Sequence, residues 1–220
     1  MITPPSSEQE LLCRAERIAG KTLGELANTY ASQIPSNLLF EKGWVGQFCE
    51  KLLGASAGSL PEPDFPQLGI ELKTIPIDSS GRPLESTYVS VVPMSATGET
   101  WETSVVFHKL SKVLWLPIMS EKPLSIEQRV VGMPIMWQPN PEQLELIRMD
   151  WEEALEKIML GDHGALNAKF GEVLQVRPKA AHSRVLTEAV GPEGHTVKTL
   201  PRGFYLRPSF TQNILRQLTY

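Results

Sequence analysis

Pro63-Asp64-Phe65-Pro66-Gln67-Leu68-Gly69-Ile70-Glu71-Leu72-Lys73 is the stretch on which the reading of this chain turns. Gly69 can reverse the backbone, and from Ile70 to Ile77 the residues alternate in a way that predicts a strand. Residues two apart on a strand share a face. Glu71 and Lys73 therefore project together, while Ile70, Leu72 and Thr74 project the other way and can join a core. Asp64 precedes the turn, so a tight reversal can fold it back beside Glu71.

Two carboxylates at one point repel unless a cation lies between them. A hard dication with oxygen ligands does this, and Mg²⁺ is the usual choice where a phosphate completes the coordination. Such a metal polarises the phosphate and activates water, and a nearby lysine orients that water or stabilises developing charge. The trio of types thus suits phosphodiester hydrolysis. An E-x-K triplet alone is also the common surface of an amphipathic strand, so the triplet needs its context.

Upstream, Ser7 with Glu10 and Thr22 with Glu25 have capping-box spacing and predict two short helices. Trp44 to Leu53 reads as a third, closed by Gly54. Downstream, Ser86 to Val92, Val113 to Ile118, Val130 to Trp137, Val173 to Arg177 and Gly203 to Leu206 are strand candidates. Asn140-Pro141 opens a long helix to about Leu160. Helices, then strands, then a mixture predict a mixed α/β (α+β) fold with a mixed central sheet flanked by helices.

Seven further segments stand in a familiar order and spacing: Gly43-Trp44-Val45-Gly46, Leu53-Gly54-Ala55-Ser56-Ala57-Gly58-Ser59, Leu72-Lys73-Thr74-Ile75-Pro76, Trp101-Glu102-Thr103-Ser104, His108-Lys109-Leu110, Val176-Arg177-Pro178-Lys179-Ala180-Ala181 and Leu200-Pro201-Arg202-Gly203-Phe204-Tyr205-Leu206. With the Pro-Asp and Glu-x-Lys elements, the chain resembles the MutH family of PD-(D/E)XK endonucleases over nearly its whole length. The resemblance implies a restriction-endonuclease-like fold of residues 1–220, with two lobes around a DNA cleft. The N-terminal lobe would carry the catalytic set and the C-terminal lobe most of the recognition residues. It implies nicking of the unmethylated strand at hemimethylated GATC, 5′ to the G, with MutL as activator and MutS acting through MutL. Asp64, Glu71 and the Leu72 carbonyl match metal ligands. Lys73 matches the catalytic lysine, and Glu50 and Lys109 match additional active-site residues. Lys42, Tyr88, Arg177, Pro178, Lys179 and Tyr205 match positions tied to DNA contact or recognition, with Tyr205 as the outward ring of the Phe204-Tyr205 pair.

Composition sets wider limits. The 220 residues suit one domain, or one with two lobes, and 41% hydrophobic with 21% charged residues is ordinary globular content. A net charge of −4 neither suggests nor excludes DNA, because local basic clusters set the field a phosphate feels. Those clusters are Arg177, Lys179 and Arg184, then Lys198, Arg202, Arg207 and Arg216, with Lys109 and Lys112. Asp150, Glu152, Glu153 and Glu156 read as a solvated helix face. Cys13 and Cys49 form no paired framework, which favours a reducing, cytoplasmic setting. No stretch is apolar for the ~20 residues a bilayer requires, no signal-peptide pattern is visible, and nothing points beyond a monomer.

Other motifs weigh less. Gly54-Ala55-Ser56-Ala57-Gly58 fits the G-x-S-x-G pattern of serine hydrolases, but that elbow lies between a strand and a helix, and here a helix precedes it and prolines follow. Lys198-Thr199 resembles the end of a phosphate-binding loop, yet Val197 stands where glycine is needed. The four histidines lack ligand spacing. The rival function from a different class is a non-catalytic reader of DNA methylation with the same fold. The intact Asp64, Glu71 and Lys73 set argues against it, since a reader does not need them.

Overall fold

The computed structural model describes residues 2–36, 43–95, 98–180 and 184–217. The chain divides into two compact units, each built from separated stretches. The first comprises residues 1–85, 111–138 and 212–220; the second comprises 86–110 and 139–211.

The first unit begins with helices α1 (Glu8–Ile18), α2 (Leu23–Thr29) and α3 (Trp44–Leu53). Thr22 and Glu25 form the expected reciprocal box. Ser7 caps α1 through the Glu10 N–H, but the Glu10 carboxylate takes its bond from the Ser6 N–H instead of Ser7. Strand β1 (Glu71–Ile77) pairs in parallel with β3 (Val113–Met119). Six of the seven β3 residues are buried, as expected of a central strand covered on both faces. Ile70, Leu72, Leu114, Leu116 and Ile118 pack with Leu11, Leu23, Leu26, Phe48 and Leu53 in one core. The apolar face of β1 is thus fixed against the helices, and the opposite face is left for Glu71 and Lys73.

The expected single strand from Val130 to Trp137 is two, β4 (Val130–Val131) and β5 (Ile135–Trp137), both antiparallel to β3. The break falls at Gly132-Met133-Pro134, where Pro117 and Pro134 lack the N–H that a continuous ladder requires. Gly132 approaches Pro117 closely there, its N–H donating to the Pro117 carbonyl at 2.7 Å, and a Cβ would sit 3.1 Å from Pro117 Cβ. With β1 and β3 parallel and the rest antiparallel, the sheet is mixed, as the sequence predicts.

Parallel strands need a long crossover. Here the crossover leaves the first unit after Glu85 and returns at Ser111, carrying part of the second unit with it. That part holds β2 (Thr87–Val91), a 3-10 turn at Trp101–Thr103 and α4 (Val105–Leu110). After the long α5 (Pro141–Met159) come β6 (Leu174–Pro178), β7 (Thr187–Val190), β8 (Thr196–Thr199) and β9 (Arg202–Leu206). An antiparallel sheet runs β2-β9-β6, and β7 and β8 form a separate pair. The boundary between the units falls within the last helix, α6 (Pro208–Gln217).

Candidate active site

The turn after Asp64 closes as the sequence predicts. Phe65 and Ile70 exchange main-chain hydrogen bonds across it, Phe65 N to Ile70 O at 2.9 Å and Ile70 N to Phe65 O at 3.3 Å, and Gly69 takes φ +63. This clamp carries Asp64 back to β1. The Leu72 N–H donates to Asp64 Oδ2 at 2.9 Å, and the Asp64 N–H donates to Glu71 Oε2 at 3.2 Å. Lys73 Nζ donates to Glu71 Oε1 at 2.5 Å. Asp64 and Glu71 are both buried, Glu71 at 1% exposure. Burying two carboxylates is costly unless each is paired or bound to a cation.

The G-x-S-x-G segment has a structural role at this point. Gly54 ends α3 with φ +84, and the Ser56 and Ala57 N–H groups donate to the Asp64 carbonyl at 3.0 and 3.3 Å. The loop thus grips the Asp64 main chain. It lies between a helix and β1, so it has neither the strand before nor the helix after that a nucleophile elbow requires. Nothing in the motif's spacing distinguishes these two uses of small residues.

Glu50 lies on α3, and a Cβ at Gly46 would lie 3.9 Å from Glu50 Oε1 and 3.6 Å from Thr74 Oγ1, which places the carboxylate near β1. Among the described residues no group of three or more His, Cys, Asp or Glu side chains is gathered for a metal. The oxygen set around the turn is therefore the Asp64–Glu71 pair with main-chain carbonyls. That set fits a hard dication, because carboxylates retain lone pairs after accepting single hydrogen bonds. Neighbouring Cys49 is fully buried, and burial followed by the Glu50 charge pushes its thiol up to about 12, which leaves it a packing residue.

Lys109 lies half-buried on α4 and belongs to the second unit, unlike Asp64, Glu71 and Lys73. Lys42 lies outside the described residues. Of the other expected recognition residues, Tyr88, Arg177, Lys179 and Tyr205 gather on one sheet face of the second unit, while Pro178, next to Arg177 on β6 and opposite Arg202, falls on the other. Tyr88 of β2 stands opposite Tyr205 of β9, and Arg177 of β6 stands opposite Gly203. The two tyrosine rings meet edge to face with centroids 5.3 Å apart. Lys179 Nζ lies 3.3 Å from the Tyr88 centroid, and Arg177 Cζ lies 5.8 Å from that of Tyr205. Arg177, Pro178 and Lys179 are exposed; Phe204 is buried and Tyr205 half-buried, the inward and outward pair expected of strand alternation. Burial raises the Tyr205 phenol, with the Arg177 charge a smaller opposing influence, so the ring stays neutral at ordinary pH.

Three expectations about charge need correction. Arg202 donates to the carbonyls of His163 and Leu166, and Arg207 to those of Ala168, Phe170 and Gly171. Both hold the 163–171 loop in place, because buried carbonyls need donors and a guanidinium fork supplies several at once. Lys112 is paired with Glu8 of the first unit. Asp150 is buried and accepts three backbone N–H groups, so it is no part of a solvated helix face.

A relative from Shewanella woodyi, described as "DNA mismatch repair protein MutH", is 55% identical over 218 residues, covering 98% of this chain and 94% of its own. The proteins of the same description from Serratia proteamaculans and Escherichia coli strain K12 are 53% and 51% identical over 213 and 216 residues. They cover 96% and 98% of this chain, and 93% and 94% of their own lengths. The chain belongs to the MutH family. The family's own model, described as "DNA mismatch repair enzyme MutH", matches residues 53–150, a span that includes the Asp64 turn and β1. The chain is accordingly a DNA mismatch-repair endonuclease with the restriction-endonuclease-like fold of MutH proteins. No helix among the described residues is long and apolar enough to cross a membrane.

Lys73 offers a prediction specific to this MutH site. Its ammonium pairs with Glu71 and cannot ligate a dication while protonated. Lys73→Ala is expected to lose nicking by about two orders of magnitude or more, the scale of one lost electrostatic stabiliser. Mg²⁺ binding, measured by calorimetry, should survive. Loss of the metal together with the rate would mean that Lys73 holds the site's structure.

Proposed function

We propose that the chain nicks the unmethylated strand at hemimethylated GATC sites, 5′ to the G, by Mg²⁺-dependent hydrolysis, in methyl-directed mismatch repair. The observation that carries this reading is the clamped turn that sets the buried Asp64 carboxylate against Glu71 and Lys73. Asp64, Glu71 and the Leu72 carbonyl would hold the metal. When bound, Mg²⁺ supplies polarisation of the scissile phosphate and an activated water.

The chain's own groups do the rest. The Leu72 N–H holds Asp64 Oδ2 and with it the orientation of the carboxylate. Lys73 Nζ donates to Glu71 Oε1, a position from which it can orient water or offset charge on the phosphate oxygens. Glu50 and Lys109 act as accessory groups. Lys42, Tyr88, Arg177, Pro178, Lys179 and Tyr205 contact duplex DNA. Arg177 has the planar fork that takes guanine O6 and N7 together.

Tyr205 reads the methyl group. N6-methyladenine projects its methyl into the major groove, where the unmodified amino group is a donor. A rigid ring filling the space beside N6 admits the amino group and clashes with the methyl. The enzyme works as a monomer in the cytoplasm, activated by MutL, with MutS acting indirectly.

The test is direct. The pure protein is incubated with Mg²⁺ and hemimethylated GATC plasmid, with and without MutL and ATP. An open circle supports the reading. Intact plasmid with a gel shift would make the chain a non-catalytic methylation reader. For the sensor, Tyr205→Ser is expected to narrow the rate ratio between unmethylated and methylated strands by about tenfold or more, within the discrimination one base-edge contact supplies. Unchanged rejection of the methylated strand would move the sensor elsewhere.

A further inference from the structure

Gly203 lies where a side chain would strike two aromatic rings. A Cβ there would sit 3.0 Å from Tyr205 Cε2, 3.0 Å from Tyr88 Cε2 and 3.3 Å from the Ser90 carbonyl oxygen. Carbon atoms pack best at about 3.5–4.0 Å, so a methyl would push both rings by several tenths of an ångström. The backbone does not demand glycine, since Gly203 is not among the residues with positive φ. The empty space itself is the feature that matters.

The surroundings leave the Tyr205 ring few ways to move. Gly203 lies beneath it on the same strand face, and Tyr88 meets it edge-on from β2. Arg177 lies over it, anchored by Nη1 donating to Ser86 Oγ at 2.7 Å. A β-bulge between Tyr88 and Ser90 shifts the β2 register at this point. Bulges re-aim side chains, and this one lies beside the ring pair.

We infer that Gly203 and Tyr88 are positioning residues that set the height and tilt of the Tyr205 ring, and through it the discrimination between adenine and N6-methyladenine. The inference rests on the reading of Tyr205 as the methyl sensor. A steric sensor distinguishes a methyl group by overlap, and repulsion rises steeply over tenths of an ångström. A ring lifted from the sheet by a methyl at 203 crowds the plain amino group as well; the methylated strand is already excluded by the clash and has little rate left to lose, so the rate on the unmethylated strand falls toward it. A ring that has lost Tyr88 can tilt into the vacated space, so the rate on the methylated strand rises. Both changes lower the same ratio from opposite ends.

The experiment measures nicking of unmethylated and N6-methylated GATC strands by full-length wild type, Gly203→Ala, Tyr88→Ala and Tyr205→Ser. Melting midpoints report folding. A merely structural loss lowers both rates together and leaves their ratio in place. The ratio is expected to fall about tenfold in Gly203→Ala and in Tyr88→Ala, comparable with loss of one base-edge contact. Ratios within about twofold of wild type in both, with the ratio collapsed in Tyr205→Ser, would overturn this inference and leave the sensor reading standing, because one misplaced base-edge contact should cost more than that. An unchanged ratio in Tyr205→Ser would overturn both. Should Gly203→Ala fail to fold, Tyr88→Ala decides by the same ratio.

Discussion

Asp64→Asn and Glu71→Gln are each expected to abolish nicking, by about three orders of magnitude or more: on the proposed reading each would hold the metal, loss of a metal ligand forfeits several kcal/mol of charge stabilisation, and each 1.36 kcal/mol is tenfold in rate. Both replacements preserve shape. In Asp64→Asn the side-chain amide oxygen still accepts from the Leu72 N–H, and in Glu71→Gln it still accepts from the main-chain N–H of residue 64, so the turn has its bonds. Folding should therefore survive, as a melting curve checks. Duplex binding should stay near that of wild type or tighten, since a negative charge beside phosphates is removed. Alanine is the worse probe at 71, because it would also leave the residue 64 N–H without its acceptor; in either variant the Lys73 ammonium loses its carboxylate partner. Wild-type nicking rates in either variant would sink the assignment of these carboxylates.

The second large effect concerns stability. Asp150→Ala is expected to destabilise the protein by about 3–5 kcal/mol, the upper range for single changes, which strand buried polar groups. Asp150 Oδ1 accepts from the Glu172 N–H at 2.8 Å, and Oδ2 from Val173 and Leu174 at 2.8 and 2.7 Å. Val173 and Leu174 are buried, so their N–H groups find no water when the carboxylate goes. Gly171, at φ +73, lets the chain wrap this tightly; a Cβ there would be 3.2 Å from Asp150 Cγ and 2.2 Å from the Leu174 oxygen. For a chain of this size the midpoint of thermal unfolding should fall on the order of 10 °C. Asp150→Asn should cost less, because one amide oxygen still accepts while its NH₂ faces a donor. A fall of only a degree or two in Asp150→Ala would mean that the loop finds other acceptors. The same carboxylate anchors the start of β6, which ends in Arg177 and Pro178, so on the proposed reading of those two residues partial loss of sequence preference should accompany the loss of stability.

Local chemistry was legible wherever it is settled by neighbours in sequence. The third helix runs from Trp44 to Leu53 as its apolar spacing and closing glycine require. Asn140 caps α5 with Pro141 in its first turn. Gly69 turns the chain, and period-two alternation places Glu71 with Lys73 and Ile70 with Leu72. Less visible were β7 and β8, whose Thr187–Val190 and Thr196–Thr199 carry few apolar residues, and α4, whose six residues are too few for helical periodicity to register. The split of Val130–Trp137 was hidden because β4 and β5 pair with β3 on either side of Pro117, a residue on another strand that has no N–H to give.

The amino-acid sequence by itself determined the mixed α/β class and brought Asp64, Glu71 and Lys73 to one place through the Gly69 turn and strand alternation, and its seven segments carried the family resemblance. Only the tertiary structure decided which charges are available. Asp150 sits in the same acidic run as Glu152 and Glu153, yet it is buried under three N–H groups while they face solvent. Arg202 and Arg207 flank Tyr205 in sequence, yet their guanidiniums hold a loop more than thirty residues away, as their partners His163 and Gly171 attest. Gly203 reads as one small residue in a strand, and only the packed sheet reveals the two rings that need its space. The reason is general. A side chain's type is fixed by the sequence, but its hydrogen-bond partners and its room come from segments that folding brings beside it.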